Sequence, residues 1–311
     1  MAIAWLSGRR AIMRTCSLRF ARSARTPGSN SLSVSDGRPT GSPIWRSGAS
    51  PAGSDSPTRP IHPTGCLYEP NYADNVPPEV IDGLDTVLMS ALNVRARTKK
   101  PWAFASANSE DAASWTIARA LASIGSLASF LSPRVRSSSS DPGQALLWGV
   151  PLTAGTADAV AVSIVKVSDD LGEQPRSRSE PDVILVWPFV EVKLDSPNER
   201  KPPTYKGRDS YLPSPGLFAN DDAAVRQAGW YELTRNWVIG NRVAALHDAR
   251  FVLANLGPAK LAKQAASFGE QLAQGAERAF EHRRWAELLD AATALPKWTV
   301  SYATQLGLEQ R

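Results

Sequence analysis

Along residues 79–92, Val80, Ile81, Leu84, Val87, Leu88 and Leu92 recur at helical spacing, and they predict a helix. The period lapses over 95–107, which reads as a loop carrying Lys99, Lys100, Pro101 and Trp102. Ala112, Trp115, Ala118 and Leu121 or Ala122 restore it. Asn108 or Ser109 offers an N-cap there, Glu110 and Asp111 place acids in the first turn, and Gly125 supplies the stop. Past a polar loop at 132–143, the segments 145–150 and 159–167 are dense in apolar residues and read as strands. Two tighter runs, 183–187 and 189–194, are rich in Val, Ile and aromatics, with Pro188 at the turn expected between them; together they predict a hairpin. A largely apolar helix follows over 222–239, with Asp222 as cap and Gly240 as stop. Residues 250–256 read as a strand, 260–284 as a long amphipathic helix, and 285–295 and 298–308 as a helix and a closing segment. This order predicts an α/β domain of the α+β kind, a central mixed sheet flanked by helices.

The hairpin carries the candidate chemistry. Residues two apart in a strand share a face, so Glu191 and Lys193 project together while Val190, Val192 and Leu194 project the other way. Pairing of the two runs returns Asp182 to that polar face. Two carboxylates and an ammonium then meet at one end of an apolar sheet, a costly arrangement for which a divalent cation is the usual compensation.

Composition narrows the chemistry further. No apolar run approaches the roughly 20 residues of a membrane span, and a cytoplasmic protein is expected. Cys16 and Cys66 lie in or beside the N-terminal segment, and His62, His247 and His282 are scattered. Zinc sites and Ser-His or Cys-His catalysis therefore lack their residues, which leaves an oxygen-ligated hard cation.

Charge separates the N-terminal segment from the rest. Residues 1–65 hold nine Arg, no Lys and two Asp, a net +7, against 26 basic and 28 acidic residues in the remainder. This Ser-, Arg-, Pro- and Gly-rich stretch lacks any period and is expected to be a disordered tail ahead of one domain at 66–311. An organellar transit peptide, a genuine basic tail and a start codon placed too far upstream all remain open for it, whereas a twin-arginine signal lacks its apolar region. The near-neutral remainder means that overall charge does not argue for DNA binding.

Pro181-Asp182 followed by Glu191-Val192-Lys193 resembles the signature of the PD-(D/E)XK nuclease superfamily. Gln227, Tyr231 and Arg235 form one stripe along the 222–239 helix, and Gln227 with Tyr231 resembles the Q-x-x-x-Y element of several branches. The stretches 108–115 and 230–237 look like those of uncharacterised bacterial nuclease-like proteins. The resemblance spans about 109–256 and implies a restriction-endonuclease-like core. It implies a Mg2+- or Mn2+-dependent deoxyribonuclease in which Asp182 and Glu191, with Glu110 and the Val192 carbonyl, hold the metal. Lys193 would orient or deprotonate the attacking water, and Gln227 and Tyr231 would line the cleft. The bland alternatives are a solvated E-x-K on a sheet edge, a Glu110 that only caps its helix, and a packed helix whose Gln and Tyr bond nearby backbone. Residues 196–222, with Lys201, Tyr205, Lys206, Arg208 and Tyr211, suit contact with phosphates and bases or form an ordinary surface loop. DNA is the expected partner and homodimerisation an open option. A non-catalytic binding or assembly module on the same fold, and a different metal-dependent phosphoesterase, are the competing functions.

Overall fold

The computed structural model describes Glu69 and residues 71–135, 145–152, 158–185, 188–198, 211, 214–219, 230–292 and 294–311. Segment 1–65, the serine run, Gln227 and most of the 196–222 connection lie outside the described residues.

After a short turn at Pro78–Val80, helices α1 (Leu84–Ser90), α2 (Val94–Ala105) and α3 (Glu110–Ser123) lead into the sheet. Helix α3 starts where its polar residues predict. The Ser109 hydroxyl accepts the Ala112 N–H at 2.9 Å, and Gly125 follows the helix with φ +64°. The predicted loop at 95–107 is instead α2: Asn93 caps it by accepting from the Arg95 and Ala96 N–H groups, and Pro101 lies inside it. The helix expected over 79–92 contracts to α1, preceded by Gly83 in the left-handed region.

Strands β1 (Leu146–Leu147) and β2 (Val150–Pro151) replace the single strand expected at 145–150. They fold back on each other through Trp148 and Gly149, both at positive φ. The strand expected at 159–167 is helix α4 (Asp158–Asp170). Its β-branched content misleads, because Val160, Ile164, Val167 and Leu171 fall on one buried helical face while Val162 is 67% exposed.

Strands β3 (Val183–Ile184) and β4 (Phe189–Val192) form the predicted hairpin, with Val183 opposite Val190 and Ile184 opposite Phe189. The Leu185 N–H closes it on the Pro188 carbonyl at 2.8 Å. Helix α5 (Tyr231–Leu246) continues through Gly240, which is not a stop. An added Cβ there would lie 2.0 Å from Phe251 Cζ, so this glycine permits close helix–sheet approach. Strand β5 (Phe251–Leu256) runs parallel to β4. The long helix expected at 260–284 divides into α6 (Ala262–Gly269) and strand β6 (Arg278–Arg283), which pairs parallel with β5. Phe280 of β6 stacks edge-on against Phe268 of α6, ring centroids 5.0 Å apart. Helices α7 (Trp285–Ala291) and α8 (Lys297–Leu306) complete the chain.

The six strands form one mixed sheet in the order β2-β1-β3-β4-β5-β6, antiparallel as far as β4 and parallel beyond it. Val183, Val190, Val192, Val252 and Ala254 pack on one face with Trp115 and Leu121 of α3 and Trp285 of α7. Ile184, Phe189, Phe251 and Leu253 pack on the other with Ile164 of α4, Leu233 and Trp237 of α5 and Phe268 of α6. The fold is thus mixed α/β, an open sheet flanked by helices, with β3 and β4 at its centre. No helix among the described residues is long and apolar enough to cross a membrane.

Candidate active site

Extending the β3–β4 register by one pair brings Asp182 opposite Glu191. Asp182 Oδ2 accepts the Val192 N–H at 2.7 Å, so the side chain is anchored across the hairpin, and the residue keeps a partly exposed edge. Glu191 and Lys193, 5% and 6% exposed, share the sheet face toward α5. Lys193 Nζ donates to Glu191 Oε1 at 2.8 Å and pairs with Glu232 Oε2 at 3.1 Å. Asn236 Nδ2 donates to the second Glu191 oxygen at 2.7 Å.

The Lys193 backbone is fixed from two sides. Its N–H donates to the Leu256 carbonyl at 2.8 Å, and its own carbonyl accepts from Trp285 Nε1 at 3.0 Å. Gly257 lies alongside: a Cβ there would come within 3.3 Å of Lys193 Cβ. Glu110, at the start of α3, points to the end of β4. Its Oε1 accepts from the Leu194 N–H at 2.8 Å and from the Ser196 hydroxyl at 2.7 Å. Its charge also acts on Lys193.

These groups perturb one another strongly. Burial, reinforced by the Glu191 charge, pushes the Asp182 carboxyl well above the usual carboxylate range. Burial raises Glu191 as well, against the opposing pull of Lys193. For Lys193 burial works the other way, but Glu191, Glu232, Glu110 and Asp182 outweigh it and hold the ammonium well above its ordinary value. Lys193 in this arrangement is therefore a fixed cation.

A second ionic cluster adjoins the first. Lys100 of α2, 7% exposed, lies 3.1 Å from Asp111 Oδ1, 3.7 Å from Glu180 Oε2 and 4.1 Å above the Trp148 ring. The Asn93 N–H donates to the other Glu180 oxygen at 2.7 Å. The Asp111 charge bears on both Lys100 and Asp182, so the two clusters share one field. On the α5 side, Tyr231 meets Tyr211 edge-on with centroids 6.0 Å apart, and the Arg235 guanidinium lies 5.5 Å from the Tyr231 ring. The Tyr211 hydroxyl donates to Glu173. Gln227 is outside the described residues.

The hairpin thus brings together Asp182, Glu191, Val192 and Lys193. Glu110 stands at the end of the same strand, and Tyr231 opens α5. Among the described residues no group of three or more His, Cys, Asp or Glu side chains is arranged to hold a metal ion. The site's acids are two carboxylates, Asp182 and Glu191, neighbours across the hairpin. That pair suits magnesium, which keeps several waters and takes one or two protein carboxylates.

The sequence reading did not single out Glu232 or Asn236 as site residues. Their signal was an acid and an amide four residues apart on a largely buried helix. Lys100 was placed in the loop expected at 95–107, whereas it belongs to α2. Comparison of the chain with protein-family models, with curated proteins and with solved structures gives no match.

Proposed function

We propose that this protein is a metal-dependent nuclease of the PD-(D/E)XK type, hydrolysing DNA phosphodiester bonds in the cytoplasm on a restriction-endonuclease-like core. The observation that carries this reading is the meeting of Asp182, Glu191 and Lys193 on the two central strands, with both carboxyls pushed up by burial. Two acids that disfavour ionisation next to each other are a site that a divalent cation relieves.

In this reading Asp182 and Glu191, with the Val192 carbonyl, would hold Mg2+ or Mn2+. The bound ion supplies a polarised phosphate and an acidified water. Glu110 braces the end of β4 through Leu194 and Ser196, which keeps Glu191 and Lys193 in register with Asp182. Lys193, held as an ammonium, neutralises charge growing on the phosphate rather than removing a proton from the water. Tyr231, the first residue of α5, lines the substrate side.

The test is cleavage of plasmid and single-stranded DNA with Mg2+, Mn2+ or EDTA. Metal-dependent cutting that disappears in Asp182→Ala and Glu191→Ala is the expected result. No cutting by the native chain with either metal, or undiminished cutting by Asp182→Ala, defeats the assignment.

A second reading is supported by charge. Outside segment 1–65 the chain carries 26 basic and 28 acidic residues, weak for a DNA binder, and Glu191 is already bonded to Lys193 and Asn236. A binding or assembly module on the same fold, as monomer or homodimer, accounts for both. Calorimetric titration with Mg2+ and Mn2+ separates the readings, because the module takes up no ion.

A further inference from the structure

Glu232 and Asn236 stand four residues apart on α5, on one face of the helix. They meet the E-x-K strand in a matched way. Glu232 accepts from Lys193 at 3.1 Å, and Asn236 donates to Glu191 at 2.7 Å. Lys193 also binds Glu191 at 2.8 Å, so one ammonium lies between two carboxylates drawn from different elements. Asn236 is 0% exposed, and its Oδ1 has no hydrogen-bond partner among the described residues. A buried amide left half satisfied is unfavourable, so the amide is oriented by the demand of Glu191 and not by its own.

Both oxygens of Glu191 are thus engaged, Oε1 by Lys193 and Oε2 by Asn236. A cation that takes a free lone pair of Glu191 lies beside the Lys193 ammonium, and like-charge repulsion then favours withdrawal of that donor. Among the described residues Asn236 contacts no other carboxylate, whereas Lys193 already touches an alternative acceptor. A buried ammonium that lost Glu191 with nothing to receive it would be a large penalty on loading.

We propose that Glu232 is a positioning residue for cation loading: it takes over Lys193 when a divalent ion occupies Glu191, while Asn236 keeps Glu191 aimed at the site. This rests on the metal-site reading above. Its consequence is that ion affinity is set partly from α5, by a residue that never touches the ion.

The test is calorimetric titration of the full chain with Mn2+ in the absence of nucleic acid, each variant first checked for a native circular dichroism spectrum and cooperative unfolding. Glu232→Gln is expected to weaken Mn2+ binding about tenfold or more, the usual scale for a partner outside the ligand set, and Asn236→Ala similarly. Glu232→Asp, which keeps the charge on a shorter arm, should recover most of the loss. A merely space-filling role predicts the reverse, because Gln conserves volume and Asp does not. In a Lys193→Gln background the effect of Glu232→Gln should vanish, since no ammonium is left to receive. Unchanged affinity in Glu232→Gln, or no recovery in Glu232→Asp, overturns the proposal even if Lys193→Gln fails to fold. An equal loss from Glu232→Gln with and without Lys193 overturns it too. If the native chain takes up no Mn2+ at all, the metal-site reading itself falls, and that outcome is distinct from the others.

Discussion

Asp182 Oδ2 accepts the Val192 N–H at 2.7 Å, across the hairpin and beside Glu191. The bond needs only an acceptor, whereas the charge is opposed first by burial and then by Glu191. Asp182→Asn keeps an acceptor and removes the charge. The metal-free variant is therefore expected to be more stable than the native chain by about 0.5–2 kcal/mol, the usual scale when a functional compromise is relieved. Because the folded-state pKa of Asp182 is raised, the native state binds the proton more tightly than the unfolded chain, and Asp182 makes the fold less stable as pH rises from the ordinary carboxylate range through the raised value. The advantage of Asp182→Asn should thus be larger at pH 8 than at pH 5. Urea denaturation in EDTA at both values measures it, and a destabilised variant at pH 8 contradicts the electrostatic account.

Lys100 joins α2 to Asp111 of α3 and to Glu180 ahead of β3. Lys100→Met leaves those two acids without their buried cation, which for broken buried pairs costs about 3–5 kcal/mol. Burial already raises the Glu180 carboxyl above its ordinary value. Protonation then relieves the variant at low pH, and the loss should shrink between pH 8 and pH 5. Denaturation curves that show the same loss at both pH values would mean that the aliphatic stem over Trp148, not the charge, holds this corner together.

Gly240 sits in the middle of α5 against the Phe251 ring. In an exposed helix, Gly→Ala stabilises by about 1 kcal/mol. Here the added methyl would lie 2.0 Å from Phe251 Cζ, and overpacking of this kind costs about 1–3 kcal/mol. Gly240→Ala should lower the melting temperature, and Phe251→Leu in the same chain should recover part of the loss.

Asn198 and Asn255 exchange two amide hydrogen bonds, 3.1 and 3.0 Å, at 1% and 0% exposure. Asn198→Ala strands the Asn255 amide in the interior and should cost about 1–3 kcal/mol. Adding Asn255→Leu removes the stranded group, so the double variant should be more stable than the sum of the single losses implies. Strict additivity in a denaturation cycle would show that the pair is not coupled.

The sheet around the site was open to sequence reading wherever local chemistry was strong. Ser109 and Gly125 marked the ends of α3, Pro188 lay at the hairpin turn, and the alternation from Val190 to Leu194 put Glu191 and Lys193 on one face. Short-range sterics and hydrogen bonds decide all of these. Residues 159–167 and 260–284 misled because an apolar residue reports burial without reporting its neighbours. Val160 and Ile164 pack as a helix because the face of β3 and β4 is covered on that side by helices, and Phe280 lies in a strand because β5 had an open edge to fill.

From its own pattern the chain determined the hairpin, the acids and amine that it carries, and helix α3. Tertiary structure alone decided that Glu232 and Asn236 complete that set and that Lys100 anchors a second charge cluster beside it. The reason is physical. Periodicity is fixed within a few residues, whereas Asn236 and Glu191 are 45 positions apart, and their meeting depends on how α5 packs across the sheet.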